Sequence, residues 1–196
     1  MQETAKNYWD ILGIGPWDMY ELHAPVLSNV VYHGKPTQFS MKLGIATVDK
    51  VQLGLIEPIS GDSIYSDLLV ECREGLHHLQ FTADNLDGIT QIMVKDGFPL
   101  LMSGHIGDSA FAFYDTVDTL KTTWGVFQPL KGISPDYRHP ENEVQASPAR
   151  IKVKRISQVA IAVKDIPTVV KNYWDILGVG PWLIFPWESP HIYNRR

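Results

Sequence analysis

The sequence predicts an α+β chain of two paired β-α-β-β-β modules, with the β-α opening of the first module displaced to the C-terminus. Three observations predict it. The stretch NYWDILGIGPW (7–17) returns as NYWDILGVGPW (172–182), and only Ile14 and Val179 differ. The apolar, β-branched run ISQVAIAV (156–163) precedes the second copy and has no counterpart before the first. Between the copies, short apolar or alternating runs bounded by Gly, Pro and Asp read mostly as strands.

The second copy carries the fuller context. Residues 156–163 read as a buried strand. Asp165 is a candidate N-cap and Pro167 suits a first helical turn, where a missing N–H costs little. Val169, Val170, Tyr173, Trp174, Ile176 and Leu177 fall on one helical face, and Gly178 supplies a left-handed stop. The repeated stretch is therefore a half helix, its Gly cap and a strand entry opened by Trp17 or Trp182. The first copy begins inside that helix, and a half helix without its strand has nothing to dock against.

From Trp17 to Leu22 the chain continues as a strand, and 26–34 reads as loop with some strand. QFSMKLGIATV (38–48) and VQLGLIE (51–57) form two antiparallel strands turning at Asp49-Lys50, and 58–62 breaks the run. Residues 64–73 read as a short helix with Tyr65, Leu68, Leu69 and Cys72 on one side. The second module follows, with strand 75–83, helix 85–96 facing inward through Leu86, Ile89, Ile92 and Met93, cap Gly97, and strands 99–105, 110–116 and 122–128. The expected division is 1–73 for the first module lacking its opening strand, 74–130 for the second module, 131–155 for a linker and 156–196 for a β-α-β segment equivalent to the start of the first.

Composition narrows the function. Hydrophobic residues are 44% and charged residues 20% of the 196, with a net charge of −5. No basic face is available for nucleic acid, and no run is long and apolar enough for a membrane span. The start lacks a secretory pattern and Cys72 is the single cysteine, so a reduced, cytoplasmic setting is the expectation. Phosphate loops, nucleophile elbows, C-x-x-C pairs and H-E-x-x-H helices are absent.

Four stretches carry a likeness to a known family: SQVAIAVKDI (157–166), YWDILGVGPW (173–182), VQLGLIEP (51–58) and GLHHLQFTADNLD (75–87). In combination they resemble the glyoxalase, bleomycin-resistance and dioxygenase (vicinal oxygen chelate) superfamily, nearest its methylmalonyl-CoA epimerase-like branch. The resemblance implies two modules pairing around a cleft. It also implies a divalent metal held by side chains from the first and last strand of each module, which polarises a substrate carbonyl. Carried over residue by residue, His78 matches a first-strand ligand, while Gln158 stands where the other first-strand His is usual. The two last-strand carboxylates fall on Gly54 and Gly125. Gln52 shares the face of Gly54, whereas Glu57 has the wrong parity.

Strand alternation places His78, Gln80 and Thr82 on the cleft face and His77, Leu79 and Phe81 on the other. His78 is accordingly the candidate catalytic acid/base or sole metal ligand, with Gln158 as a weak second ligand. Gln158, Gln80, Gln52 and Tyr114 are the candidate substrate contacts, and Tyr20, His23 and Tyr32 lie toward the cleft mouth. Trp9, Trp17, Trp174 and Trp182 read as core. Asp108 and Asp115 read as turn and edge residues, and His105 has no partner in the pattern.

Two functions stay open. One is an isomerase or lyase acting on a small carbonyl compound, an acyl thioester or aromatic acid, with a weakly bound divalent metal or none. The other is a non-catalytic, drug-sequestering binding protein. A small-molecule ligand is the expected partner, and neither nucleic acid nor membrane is expected. The repeated ends suggest a homodimer exchanging its C-terminal β-α segment, or a circular permutation within one chain.

Overall fold

The computed structural model describes residues 1–71, 74–141 and 146–186. Cys72 and Arg73, the end of the expected 64–73 helix, lie outside the described residues, as does 187–196.

Two sheets make the frame. The first joins β1 (Trp17–Leu22), β4 (Ser40–Val48), β5 (Val51–Ser60) and β10 (Tyr137–His139) in the order β10-β1-β4-β5. The second joins β2 (Leu27–Tyr32), β3 (Lys35–Pro36), β6 (His78–Thr82), β7 (Leu100–Ile106), β8 (Ser109–Tyr114) and β9 (Thr123–Phe127) in the order β3-β2-β7-β8-β9-β6. The hairpin between β4 and β5 turns where expected, with Asp49 in the left-handed region at φ 57°. The stretch 26–34 is more ordered than the sequence suggested, because β2 pairs with β7 and so ties residues before position 73 into the second sheet.

The second module holds the expected order. β6 leads through α3 (Leu86–Lys95) to the β7-β8-β9 meander, and β9 returns in parallel beside β6. The Asn85 side chain accepts from Gly88 N–H and caps α3. Met93 is buried against Ala112, Tyr114 and Val126, with Leu86 and Ile89 beside it. Ile92 is 59% exposed, against expectation. At 100° per residue it sits roughly 120° round from the Leu86–Met93 stripe.

One apolar cluster ties the sheets together: Leu22, Met41 and Leu43 from the first, Met102, Phe111 and Phe113 from the second, with Ile64 and Tyr65 of α2 (Ile64–Glu71). The alternate residues of the first sheet, Trp17, Met19, Ala46 and Val48, face outward. There they are covered by α1 (Gln2–Asn7), a π-helical turn over Tyr8–Leu12 and Gly13 at φ 69°. The first copy therefore does have a seat, contrary to expectation, and Ala5 is wholly buried in it. A short helix gains from tertiary packing what its length denies it.

Two further expectations are corrected. The linker is not featureless, since β10 pairs with β1 through Trp17–His139 and Met19–Tyr137, and the Arg138 side chain bonds Asp18 at 2.7 Å. Residues 156–163 form no strand, and Gln158 and Val159 are exposed. Helix α5 (Ile166–Leu177) follows as expected, from an Asp165 cap to Gly178 at φ 66°. It docks beside α4 (Val117–Leu120), where Tyr173 donates to the Leu120 carbonyl at 2.9 Å. That docking draws Ile161 and Val163 onto the same cluster as Leu120 and Trp124. No helix among the described residues is long and apolar enough to cross a membrane.

Candidate functional site

The site is built on β6, the edge strand of the second sheet. In the β6–β9 ladder His78 stands opposite Thr123, Gln80 opposite Gly125 and Thr82 opposite Phe127. Gly125 stands opposite Phe113, and Phe113 opposite Met102. Directly paired residues share a face. Phe113 and Met102 belong to the cluster between the sheets, so His78, Gln80 and Thr82 are on the inner face, as alternation predicts. Phe81 takes the outer face with Val126 and Tyr114, under α3.

His77 departs from that alternation. It precedes the strand, so strand geometry does not bind it, and its ring turns inward onto His78. The two Nδ1 atoms lie 2.8 Å apart, and His77 Nε2 lies 3.1 Å from the Ile64 carbonyl. These contacts assign the tautomers. A carbonyl only accepts, so the proton of neutral His77 is on Nε2, leaving its Nδ1 as an acceptor. His78 then donates from Nδ1 and keeps a lone pair on Nε2.

Aromatic rings wall the pair. Phe113 stands edge-on to His78 at 4.8 Å between centroids, and Tyr65 lies 5.2 Å from His77 and 6.1 Å from His78. The same enclosure sets the charge state. Burial, and next the His77 ring, push His78 down to about 3, while a side-chain bond with Gln80 opposes them. Burial also lowers His77, against its bond to the Ile64 carbonyl and the nearby Asp67. Asp67 in turn accepts both contacts of the Tyr32 hydroxyl, at 2.9 and 2.8 Å. At neutral pH both imidazoles are therefore uncharged hydrogen-bonding groups.

The other candidates divide. Gln52 is exposed at the start of β5, opposite Thr47, on the same face as Gly54 and Ile56. Ile56 joins the cluster between the sheets, so that face is the inner one. Glu57 points outward, as its parity requires, and takes the Met1 ammonium at 2.9 Å. Tyr20 packs against the inner cluster, and His23 is exposed with Nδ1 against the Ala24 carbonyl. Tyr114 is a correction: it is fully buried beneath α3 with its hydroxyl on Thr90 Oγ1 at 2.7 Å, on the face away from His78. Gln158 is exposed on an irregular stretch and joins none of the groups around His78, because 156–163 has no strand partner here.

Gly54 and Gly125, at the expected carboxylate positions, are not equivalent. A Cβ at Gly54 would meet only Leu43 Cδ1, at 4.0 Å, whereas one at Gly125 would fall 2.5 Å from Phe113 Cδ1. Gly125 makes room for the ring that stands on His78. Among the described residues no three His, Cys, Asp or Glu side chains converge, and the His77 and His78 Nδ1 atoms are spent on each other. This donor set does not fit a resident divalent ion, which needs three or four ligands.

Asp67 and Phe113 escaped the sequence reading, which placed Tyr65 in a helix stripe and His77 on the opposite face of the strand. The doublet His77-His78 was a usable signal, since a residue just outside a strand is free to turn either way.

The sequence model of the Glyoxalase/Bleomycin resistance protein/Dioxygenase superfamily matches residues 1–113. The chain belongs to this superfamily. A search among curated proteins finds no match. Similar solved structures include a hypothetical protein from Bacillus halodurans C-125, at 14% identity and a TM-score of 0.49, covering 68% of this chain and 89% of that one. Methylmalonyl-CoA epimerase from Mycobacterium tuberculosis is similar at 16% identity and a TM-score of 0.48, covering 66% and 81%. A methylmalonyl-CoA epimerase in complex with methylmalonyl-CoA and NH4+ is similar at 19% identity and a TM-score of 0.43, covering 69% and 90%. The chain carries His78 on the inner face of β6, and at Gly54 and Gly125 it has no side chain to offer a metal.

Proposed function

We propose that the chain binds a small carbonyl compound, an acyl thioester or aromatic acid, on the inner face of β6 through uncharged imidazole and amide groups. The observation that carries this reading is the fixed relay from the Ile64 carbonyl through His77 to His78, with Gln80 bonded at its end. It presents an oriented imidazole edge and an amide beside aromatic walls. Such a surface suits a planar, polar-edged ligand.

Retention of the ligand without turnover fits the site best. A group that is protonated only near pH 3 is a poor general base at neutral pH, where efficient proton transfer wants a matched pKa. The isomerase or lyase reading is favoured by one feature, the Nε2 lone pair of His78, which is freed when a ligand takes over Gln80. It would take a proton from carbon while Gln80 holds the carbonyl oxygen. Neither reading uses a metal.

Calorimetric titration with aromatic acids and acyl thioesters, with and without a chelator, tests the proposal. Binding should be chelator-independent and should weaken about tenfold in His78→Phe, the cost of one neutral hydrogen bond. Unchanged affinity in that variant sinks the reading. Deuterium exchange at the ligand's α-carbon, followed by NMR, separates turnover from retention.

A further inference from the structure

Two copies of one motif are present, and they are seated differently: the helix of the second is buried at Tyr173 against Leu120, while its strand entry is exposed. Internally they are built alike. Tyr8 meets Trp17 at 5.7 Å, and Tyr173 meets Trp182 at 5.6 Å. Trp17 Nε1 donates to the Ile14 carbonyl, and Trp182 Nε1 to the Val179 carbonyl. Outside themselves they differ. Trp17 is 0% exposed, whereas Trp182 is 45%, Leu183 82% and Phe185 69% exposed. The first copy shows what covers such a motif: the outer face of β4 and β5, with Ala46, Val48, Leu53 and Leu55.

The same sheet has a vacant ladder. In the second sheet β6 lies parallel to β9, and the order β6-β9-β8-β7 is closed by α3. The corresponding order in the first sheet is β5-β4-β1, and nothing among the described residues pairs with the far edge of β5. Residues 157–163 stand at the same spacing before the cap Asp165 as 77–83 stand before the cap Asn85. Each cap accepts from the N–H three residues on. The chain also delivers 157 to the right place. Val153 and Ile156 pack in the cluster that holds Leu53 and Leu55 of β5.

We propose that residues 157–163 add to the free edge of β5 in the same chain as a parallel strand, with 166–185 exchanging for 1–20 on the outer face. The seat accepts either copy, but only the C-terminal copy brings a strand with it. By the β6–β9 register, in which Gln80 faces Gly125, Ala160 falls opposite Gly54 and Gln158 opposite Gln52. Gln158, exposed and remote from His78 in the present arrangement, would then stand on the inner face as the counterpart of His78. The exchange thereby completes the second wall of the ligand site, and in this respect it rests on the proposed function.

Crosslinking of the whole chain tests it. Cys72→Ser with Gln52→Cys and Gln158→Cys is treated with a short bis-maleimide, and linked peptides are identified by mass spectrometry. The expected product is a 52–158 link within one chain. Absence of that link while Cys at 158 reacts with a mono-maleimide overturns the proposal, as does a link found only between chains. Because the substitutions themselves could disturb pairing, hydrogen exchange on the unsubstituted chain provides the second readout. Amides 159–163 should exchange about 100-fold slower than an unstructured peptide, and exchange at the unprotected rate overturns the proposal. His78→Phe tests ligand binding alone and should leave the 52–158 link intact, so failure of either idea is read separately.

Discussion

The ring of Phe113 occupies the space that a side chain at Gly125 would need, and from there it stands edge-on to His78, 4.8 Å between centroids. Glycine at 125 is thus a packing requirement. Gly125→Ala places a Cβ 2.5 Å from Phe113 Cδ1 and 3.0 Å from the Ala112 carbonyl oxygen. Overpacking of this kind costs about 1–3 kcal/mol. Gly54→Ala meets nothing closer than 4.0 Å and should change stability by less than about 0.5 kcal/mol. Urea unfolding of both variants checks the contrast, and equal effects would refute it.

Stability should depend on pH through the histidine pair. His78 is held near 3 in the folded chain and His77 is also lowered, from an ordinary value of 6.5. Between those limits the unfolded chain binds the more protons, so acidification favours unfolding. Full stability is present above pH 6.5 and is lost as pH falls toward 3. The slope is about 1.4 kcal/mol per pH unit for each proton taken up. The range of about 5.5–6.5 lies above ordinary carboxylate titration, which centres on about 4, and there the histidines dominate. His78→Gln should remove about one proton from the slope there, measured as urea unfolding against pH. A slope unchanged by that substitution would show that His78 is solvated in the folded state.

His77 contributes separately to that low value, because its ring next to His78 disfavours a charge there. His77→Phe keeps the aromatic neighbour of Tyr65 but removes the acceptor for His78 Nδ1–H. The titration of His78, followed by NMR of its imidazole carbons, should move upward from about 3 while staying below 6.5, since burial remains its largest cause. A downward movement would mean that the hydrogen bond His78 donates to His77 Nδ1, which favours the charged form, outweighs the repulsion between the two rings.

Periodicity made the second module legible to within about three residues, because α3 and the meander satisfy their pairing locally and β6 has a readable alternation. Alternation along β6 placed His78 and Gln80 correctly for the same reason. The misreadings share another cause. His77 lies outside the strand, where alternation has no force. Tyr137–His139 reads as linker because three residues carry no period, and only β1 makes them a strand. The run 156–163 has every local mark of a strand, yet a strand needs an edge to pair with, and its sequence cannot state which edge is free. Tyr114 was misplaced by the face of β8, which depends on register with β9.

Tyr114 offers the sharpest test of that register. Its hydroxyl shares a 2.7 Å bond with Thr90 Oγ1, and Thr90 also donates to the Leu86 carbonyl at 2.9 Å. Tyr114→Phe leaves Thr90 with that second partner, so the loss should be about 1 kcal/mol, the net worth of one neutral hydrogen bond. Because the ring lies under α3, on the sheet face away from His78, carbonyl-ligand affinity should stay within about twofold. A tenfold fall in affinity with unaltered unfolding would place Tyr114 at the ligand after all. It would also require β8 to present its other face to the space between the sheets, which would exchange Phe113 for Ala112 beside His78.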